Sequence, residues 1–298
     1  FVNDGSTNGD VYCTAPGSTL NSGLLPSAPM RSVQQVVDAY KLEPVDIVYI
    51  DTGVYNLTDA LRVGDLDSGN ITNRITFQGS TNYVTGGSIL DRQVTQGGTA
   101  ALQLENASGL IFRDIIVRNA SSGIKVLASE YIRFEKTQSL QNRDYGVEVD
   151  LATGIELINY LGWRNGPTNG AGLYMTDCDV VMRNAVIEGN RYGVYKPDGS
   201  LLTIENSIIT TDANGGRIYY FDAQSSFESV VGDYNNYRAL AGTLIAEKNN
   251  PTGGNDYKPY VYDWVLASGQ DKHTFSHIPD FADGTNRLFT LKSEAGRH

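Results

Sequence analysis

The chain is 298 residues long, enough for one large domain or two small ones, and carries a formal net charge of −11. With no Lys/Arg cluster, that charge excludes nucleic acid and anionic membrane surfaces as natural partners, because both need a basic patch. Two cysteines are too few for a disulfide-stapled fold, and no segment reaches the about 18 apolar residues of a membrane span.

The chain opens at Phe1 with no Met and no signal peptide, as a mature or excised piece of a larger protein would. Residues 32–42 place apolar side chains at helical spacing behind Ser32, which suits a helix start, so the spacing predicts a short helix. Residues 45–49 and 52–55 then begin the strands. Cys13 and Cys178 are open to either a bridge or two free thiols.

The middle of the chain repeats. Gly123-Ile-Lys-Val, Gly146-Val-Glu-Val, Gly172-Leu-Tyr-Met and Gly193-Val-Tyr-Lys begin alike, with glycines 23, 26 and 21 residues apart. Ala101-Leu-Gln-Leu precedes them by 22 residues, and Arg217-Ile-Tyr-Tyr follows Gly193 by 24. Most repeats carry a second apolar run ending in a polar turn, and Asp114, Asn159, Asn184 and Asn206 fall at matching places in these runs. Asn tolerates the left-handed turn conformation, and stacked Asn side chains can bond from one repeat to the next. Helical repeats are longer, a propeller blade is about twice as long, and the leucine-rich pattern is missing. The period therefore predicts an all-β, right-handed parallel β-helix, a solenoid of short strands, as one domain over 1–298. Residues 1–45 form the N-terminal segment and capping helix. Residues 46–224 form the regular coils. Residues 225–298, where the period fades, form final coils and an irregular C-terminal cap. A solenoid needs both ends covered, because an unpaired edge invites aggregation.

Particular stretches support that fold. Asn21-Ser-Gly-Leu-Leu-Pro, Pro29-Met-Arg-Ser-Val and Ile47-Val-Tyr-Ile-Asp-Thr-Gly-Val-Tyr55 resemble the start of pectate-lyase-like right-handed β-helix proteins, which are common in large secreted bacterial proteins. Asp233-Tyr-Asn-Asn-Tyr237, Ser268–Thr274, Pro279–Asp283 and Leu291–Arg297 resemble the closing coils of that group. The resemblance implies an extracellular or cell-surface location and a polysaccharide or cell-surface glycan as partner. It does not single out one activity, since the superfamily includes lyases, hydrolases, tailspikes, adhesins and non-catalytic modules.

Alternate side chains of a strand face opposite ways, so the middle residue of each Gly-Ile-Lys-Val relative points outward. Stacked coils then give an external column of Gln103, Lys125, Glu148, Tyr174, Tyr195 and Tyr219, with neighbours about 4.8 Å apart. Tyrosine offers sugar C–H groups a flat apolar face and adds a hydroxyl. The leading expectation is therefore a glycan-binding or surface-display module that uses this column. The bland alternative is a ladder of side chains that only stabilises the sheet.

Asp150 lies two residues beyond Glu148, about 6.5–7 Å away along the strand. That is near the lower edge of the spacing for inverting glycoside hydrolysis. A hydrolase would use Glu148 and Asp150 as base and acid, with Lys125 keeping Glu148 ionised. A lyase would draw on Lys125, Arg143, Arg164, Arg191 or Lys196, as the resemblance implies. No cofactor is expected. Asp65-Leu-Asp-Ser-Gly-Asn70 only loosely resembles a calcium loop and lacks its terminal Glu. His273, His277, Asp271 and Asp280 fall in the C-terminal cap, where structural hydrogen bonding is expected. Self-association through the faces and caps is the third reading.

Overall fold

The computed structural model describes residues 1–211, 215–240 and 242–279, and the backbone of Phe281–Asp283 and Leu288–Leu291. The chain winds as a right-handed parallel β-helix, each coil passing in turn through three sheets. Among the described residues the first sheet has eight strands, from Ile47–Ile50 to Val230–Asp233. The second has eight, from Gly53–Asn56 to Asn236–Ala239. The third has nine, running from Leu61–Val63 to Leu244–Lys248 and closed by an antiparallel edge, Asp256–Lys258. Regular pairing thus runs on past residue 224.

The core is a set of columns. Leu102, Ile124, Val147, Leu173 and Val194 stack in register inside the third sheet, all fully buried. Phe77, Phe112 and Phe134 stack inside the first, with ring centroids 4.7 and 5.6 Å apart. Each such buried side chain contributes roughly 1.5–3 kcal/mol of hydrophobic stabilisation.

The repeating glycines are explained by packing, not by backbone freedom. A Cβ on Gly172 would meet Ile187 Cγ2 at 2.4 Å, and one on Gly193 would meet Ile209 Cγ2 at 2.4 Å. In these coils the second and third sheets meet too closely at the corner for a side chain.

Asp114, Asn159, Asn184 and Asn206 take the left-handed conformation, with φ of 56°, 54°, 53° and 51°. They do not form the expected inter-coil ladder. Asn159, Asn184 and Asn206 are exposed, and the ladder is made one corner later by buried Asn142, Asn165 and Asn190. There Asn142 Nδ2 donates to Asn165 Oδ1 at 2.8 Å, and the Asn165 amide donates to Asn190 Oδ1 at 2.7 Å.

Helix α1, Val33–Ala39, is shorter than 32–42. It is capped by Ser32 with Gln35 answering in a capping box, and it buries Val33 and Val36. The N-terminal segment adds to the open edge: the Val2 amide donates to Tyr49 O at 2.8 Å, and the Asp51 amide to Val2 O at 2.9 Å. Buried Asp51 accepts the amides of Val11, Tyr12 and Cys13. Cys13 and Cys178 are both free and buried. At the other end α2, Val261–Ser268, drives Trp264 into the core. No described helix is long and apolar enough to cross a membrane.

Candidate functional site

The outer face of the third sheet carries a continuous ladder. Strand register pairs Arg62 with Gln103, Gln103 with Lys125, Lys125 with Glu148, Glu148 with Tyr174, and Tyr174 with Tyr195. The next outward residue is Tyr220, not Tyr219. The expected place of Tyr219 is corrected: its side chain is fully buried, stacks on Trp264 at 4.8 Å and donates to Tyr237 Oη at 2.6 Å. The reason lies in the fifth repeat, which has no glycine. Ile218 sits where Gly193 sits one coil earlier, so the repeat starts one residue later than Arg217 suggests. A one-residue slip moves every side chain to the opposite face.

Two further tyrosines were not read from the repeat, because they precede its glycines. Tyr145 and Tyr192 stand at the first position of their strands, facing out. Together the five form one patch. Tyr145 stacks on Tyr174 at 4.6 Å, and Tyr192 on Tyr220 at 4.6 Å. Tyr195 meets Tyr174 and Tyr220 edge-on at 5.2 and 5.1 Å. All five are partly exposed. Across four coils the patch is about 14 Å long at the usual strand spacing. Partial burial, and then the nearby Tyr174, Glu148 and Asp144, push the Tyr145 hydroxyl up to about 12. Burial, and then the hydrogen bond that Tyr195 donates to Asp222 Oδ2 at 3.0 Å, raise Tyr195 further. The Tyr145 and Tyr195 hydroxyls are therefore neutral donors at any ordinary pH.

Charged residues bracket the patch. Lys125 Nζ donates to Glu148 Oε1 at 2.7 Å, and Ser122 Oγ donates to Oε2 at 2.6 Å, so both Glu148 oxygens are engaged. Asp150 follows on the same outward side, partly exposed. At the far end Arg217 is paired with buried Glu247.

The strand ends differ on the two sides of the face. Where strands enter, Arg143 and Arg164 line a pocket of about 500 Å³ with Gln141 and Thr168. Arg143 is paired with Asp144, Arg164 lies 4.6 Å over the Trp163 ring, and Arg191 lies 5.8 Å over Tyr192. Where strands leave, a groove of about 620 Å³ runs beside Tyr174, lined by Asp177, Asp198 and Asp222.

Lys196 is corrected as an outer-face candidate. It occupies the core position opposite Phe221, is fully buried, and donates to the Ser200 carbonyl. Burial pushes its ammonium down to about 8.

In the C-terminal cap, buried Asp271 accepts from Trp264 Nε1 at 2.8 Å, Asn235 Nδ2 at 2.9 Å and Thr274 Oγ1 at 2.6 Å. His273 Nδ1 lies 2.7 Å from Asp233 and its ring stacks on Tyr234, while the His277 amide donates to Asn236. Asp280 lies outside the described residues. In the 65–70 stretch, Asp67 accepts the amide of Leu42, 25 residues back in the N-terminal segment, and Asn70 Oδ1 accepts the Asn73 amide within its own turn, both structural bonds. Among the described residues, no group of three His, Cys, Asp or Glu is placed to hold a metal ion.

Fold and face together define a solenoid that presents an aromatic strip along one side. The chain belongs to the family described as the right handed beta helix region, which residues 55–231 match. No curated protein matches the sequence. Among solved structures it is similar to the pectate lyase Pel9A, at 14% identity and a TM-score of 0.53, covering 99% of this chain and 86% of that one. It is also similar to an alginate lyase from Paenibacillus sp. str. FPU-7, at 12% identity and a TM-score of 0.49, covering 82% and 95%. At 14% identity the likeness to the pectate lyase bears on the fold alone.

Proposed function

We propose that this protein is a polysaccharide-binding module, acting outside the cell or at its surface, that holds a glycan chain across the tyrosine patch of the third sheet. The observation that carries this reading is the contiguity of Tyr145, Tyr174, Tyr192, Tyr195 and Tyr220, five half-exposed rings in mutual contact on a flat rigid sheet. Such a strip offers apolar faces to successive sugars and hydroxyls to their oxygens, with little side-chain entropy left to lose. The likeness to a pectate lyase adds that this fold serves a protein named for a polysaccharide. In this reading Glu148, held by Lys125 and Ser122, braces one end of the strip.

Affinity electrophoresis through gels containing soluble polysaccharides tests it, comparing wild type with Tyr174→Ala/Tyr195→Ala. Retardation by at least one polysaccharide that the double change removes is the expected result. Retardation unaffected by the change removes this face as the site. Turnover of any polysaccharide that is lost in Glu148→Gln or Asp150→Asn would replace the binding reading with the hydrolase one.

A further inference from the structure

We propose that the tyrosine face and its groove select a cationic amino-sugar polymer, a chain of N-deacetylated hexosamines, over neutral or acidic glycans. The inference rests on the glycan-binding reading and names the substrate class of that same site.

The charges around the strip are unequal. The cations on its two ends are neutralised within the protein, Lys125 by Glu148 and Arg217 by Glu247. The groove where the strands leave the sheet contains three carboxylates and no Lys or Arg among its ten lining residues. Lys196 and Lys248 both sit opposite the inward residue Phe221 and neither lines the groove, although buried Lys196 acts on Asp198 from the core side; Arg143, Arg164 and Arg191 stand at the opposite, strand-entry edge.

The three carboxylates are spaced rather than gathered. Asp177 follows the strand Ala171–Thr176, Asp198 follows Tyr192–Lys196, and Asp222 follows Arg217–Phe221, one on each of three successive coils. No metal-holding cluster forms among them. One negative charge per coil, along the edge of an aromatic strip, matches a linear polymer whose positive charge also recurs. The tie to the strip is direct, since Tyr195 donates to Asp222. Asp198 keeps its charge into acid. Burial pushes it up, but the Ser200 hydroxyl and amide and the Asp177 amide donate to it and, with the buried Lys196 ammonium, hold it below the usual carboxylate range. At such pH amino sugars are protonated. A uronate chain laid in the same groove would place like charges side by side, with no cation lining the groove to offset them.

The test is a titration of wild-type protein, at low and high salt, with oligomers of glucosamine, N-acetylglucosamine and galacturonate, and with oligolysine as a charge-only probe. We expect glucosamine oligomers to bind at least ten-fold more tightly than galacturonate oligomers at low salt. That advantage should shrink at high salt and fall several-fold in Asp198→Asn/Asp222→Asn. Binding of the N-acetyl oligomer should fall less in that variant than binding of the glucosamine oligomer. Equal or tighter galacturonate binding, or a preference indifferent to salt, overturns the proposal and needs no variant. So does oligolysine binding as tightly as the sugar and surviving Tyr174→Ala/Tyr195→Ala. If no oligosaccharide of any charge binds, the glycan reading itself has failed. If galacturonate binds through the tyrosines, that reading stands and only the charge selection falls.

Discussion

The outer faces of the first and third sheets share one backbone geometry and differ in what they do with charge. On the first, charges face one another across coils: Arg113 with Glu135, Arg133 and Arg74 with Glu156, and Arg183 with Glu205. The Arg113, Arg133 and Arg183 pairs join neighbouring strands, and Arg74 reaches the same Glu156 from further along the sheet, so that group of three keeps one positive charge. On the third, the cross-strand charge pairs among the described residues lie at the ends of the strip, and between them lie five tyrosines with three carboxylates along one edge, one of them, Asp198, in the field of buried Lys196. Cross-strand pairs are the unit by which a sheet stabilises itself. Aromatic rings paired across strands stabilise a sheet as charge pairs do, so the two faces differ in what they leave exposed: neutralised charge on the first, apolar ring surface on the third.

That contrast can be broken in several ways. Replacing Tyr174, Tyr195 and Tyr220 together by Ala should weaken glycan binding roughly 100-fold, from about 1 kcal/mol per lost aromatic contact. Calorimetric titration, with circular dichroism to verify the fold, measures it, and a loss under three-fold would mean the strip is decoration.

The inner side of the same sheet gives the next largest effect. Burial lowers Lys196 to about 8 from the ordinary lysine value of 10.5. Because the folded value is depressed, the penalty is fully present below pH 8 and fades as pH rises from there towards 10.5. Lys196→Met should therefore raise stability at pH 7 by about 3 kcal/mol, at 1.36 kcal/mol per tenfold. Wild type should close part of the gap by pH 10. Denaturant unfolding at the two pH values would reveal a destabilised variant if the lysine instead holds the corner together.

Smaller is the effect of Glu156→Gln on the first sheet, which strips two partly exposed arginines of their shared partner. A loss of about 1 to 2 kcal/mol is expected, with glycan binding unchanged. Burial raises the Glu156 carboxyl, but Arg133 and Arg74 outweigh it and hold it below the usual range. Its contribution is thus present above ordinary carboxylate values and lost as pH falls through the folded value. An acid unfolding midpoint that does not rise in the Gln variant would contradict this. Least is Lys125→Met, which frees one Glu148 oxygen at the end of the strip and should alter glycan affinity by no more than about three-fold.

The coils were legible because Gly123, Gly146, Gly172 and Gly193 mark a corner where, in those four coils, a Cβ would meet its nearest neighbour at 2.1 to 2.5 Å. Where Ile218 replaces the glycine, that marker vanishes, and Tyr219 and Tyr220 exchange faces. Lys196 shows alternation prevailing over charge: a period of two places it inward, and it stays inward despite its ammonium. Asn142, Asn165 and Asn190 look like any turn asparagines in sequence, and only burial separates them from exposed Asn159 and Asn184. Asp177, Asp198 and Asp222 were invisible because corner lengths vary from coil to coil, so no period brings them into line.

Hydrogen–deuterium exchange with and without a bound oligosaccharide tests the central claim, that the third sheet is the binding face, without altering any residue. The account requires new protection in Tyr145–Asp150, Ala171–Thr176, Tyr192–Lys196 and Arg217–Phe221, with Glu130–Glu135 and Ile155–Ile158 on the first sheet unchanged. Protection confined to the first sheet, or to the capping segments, would contradict it.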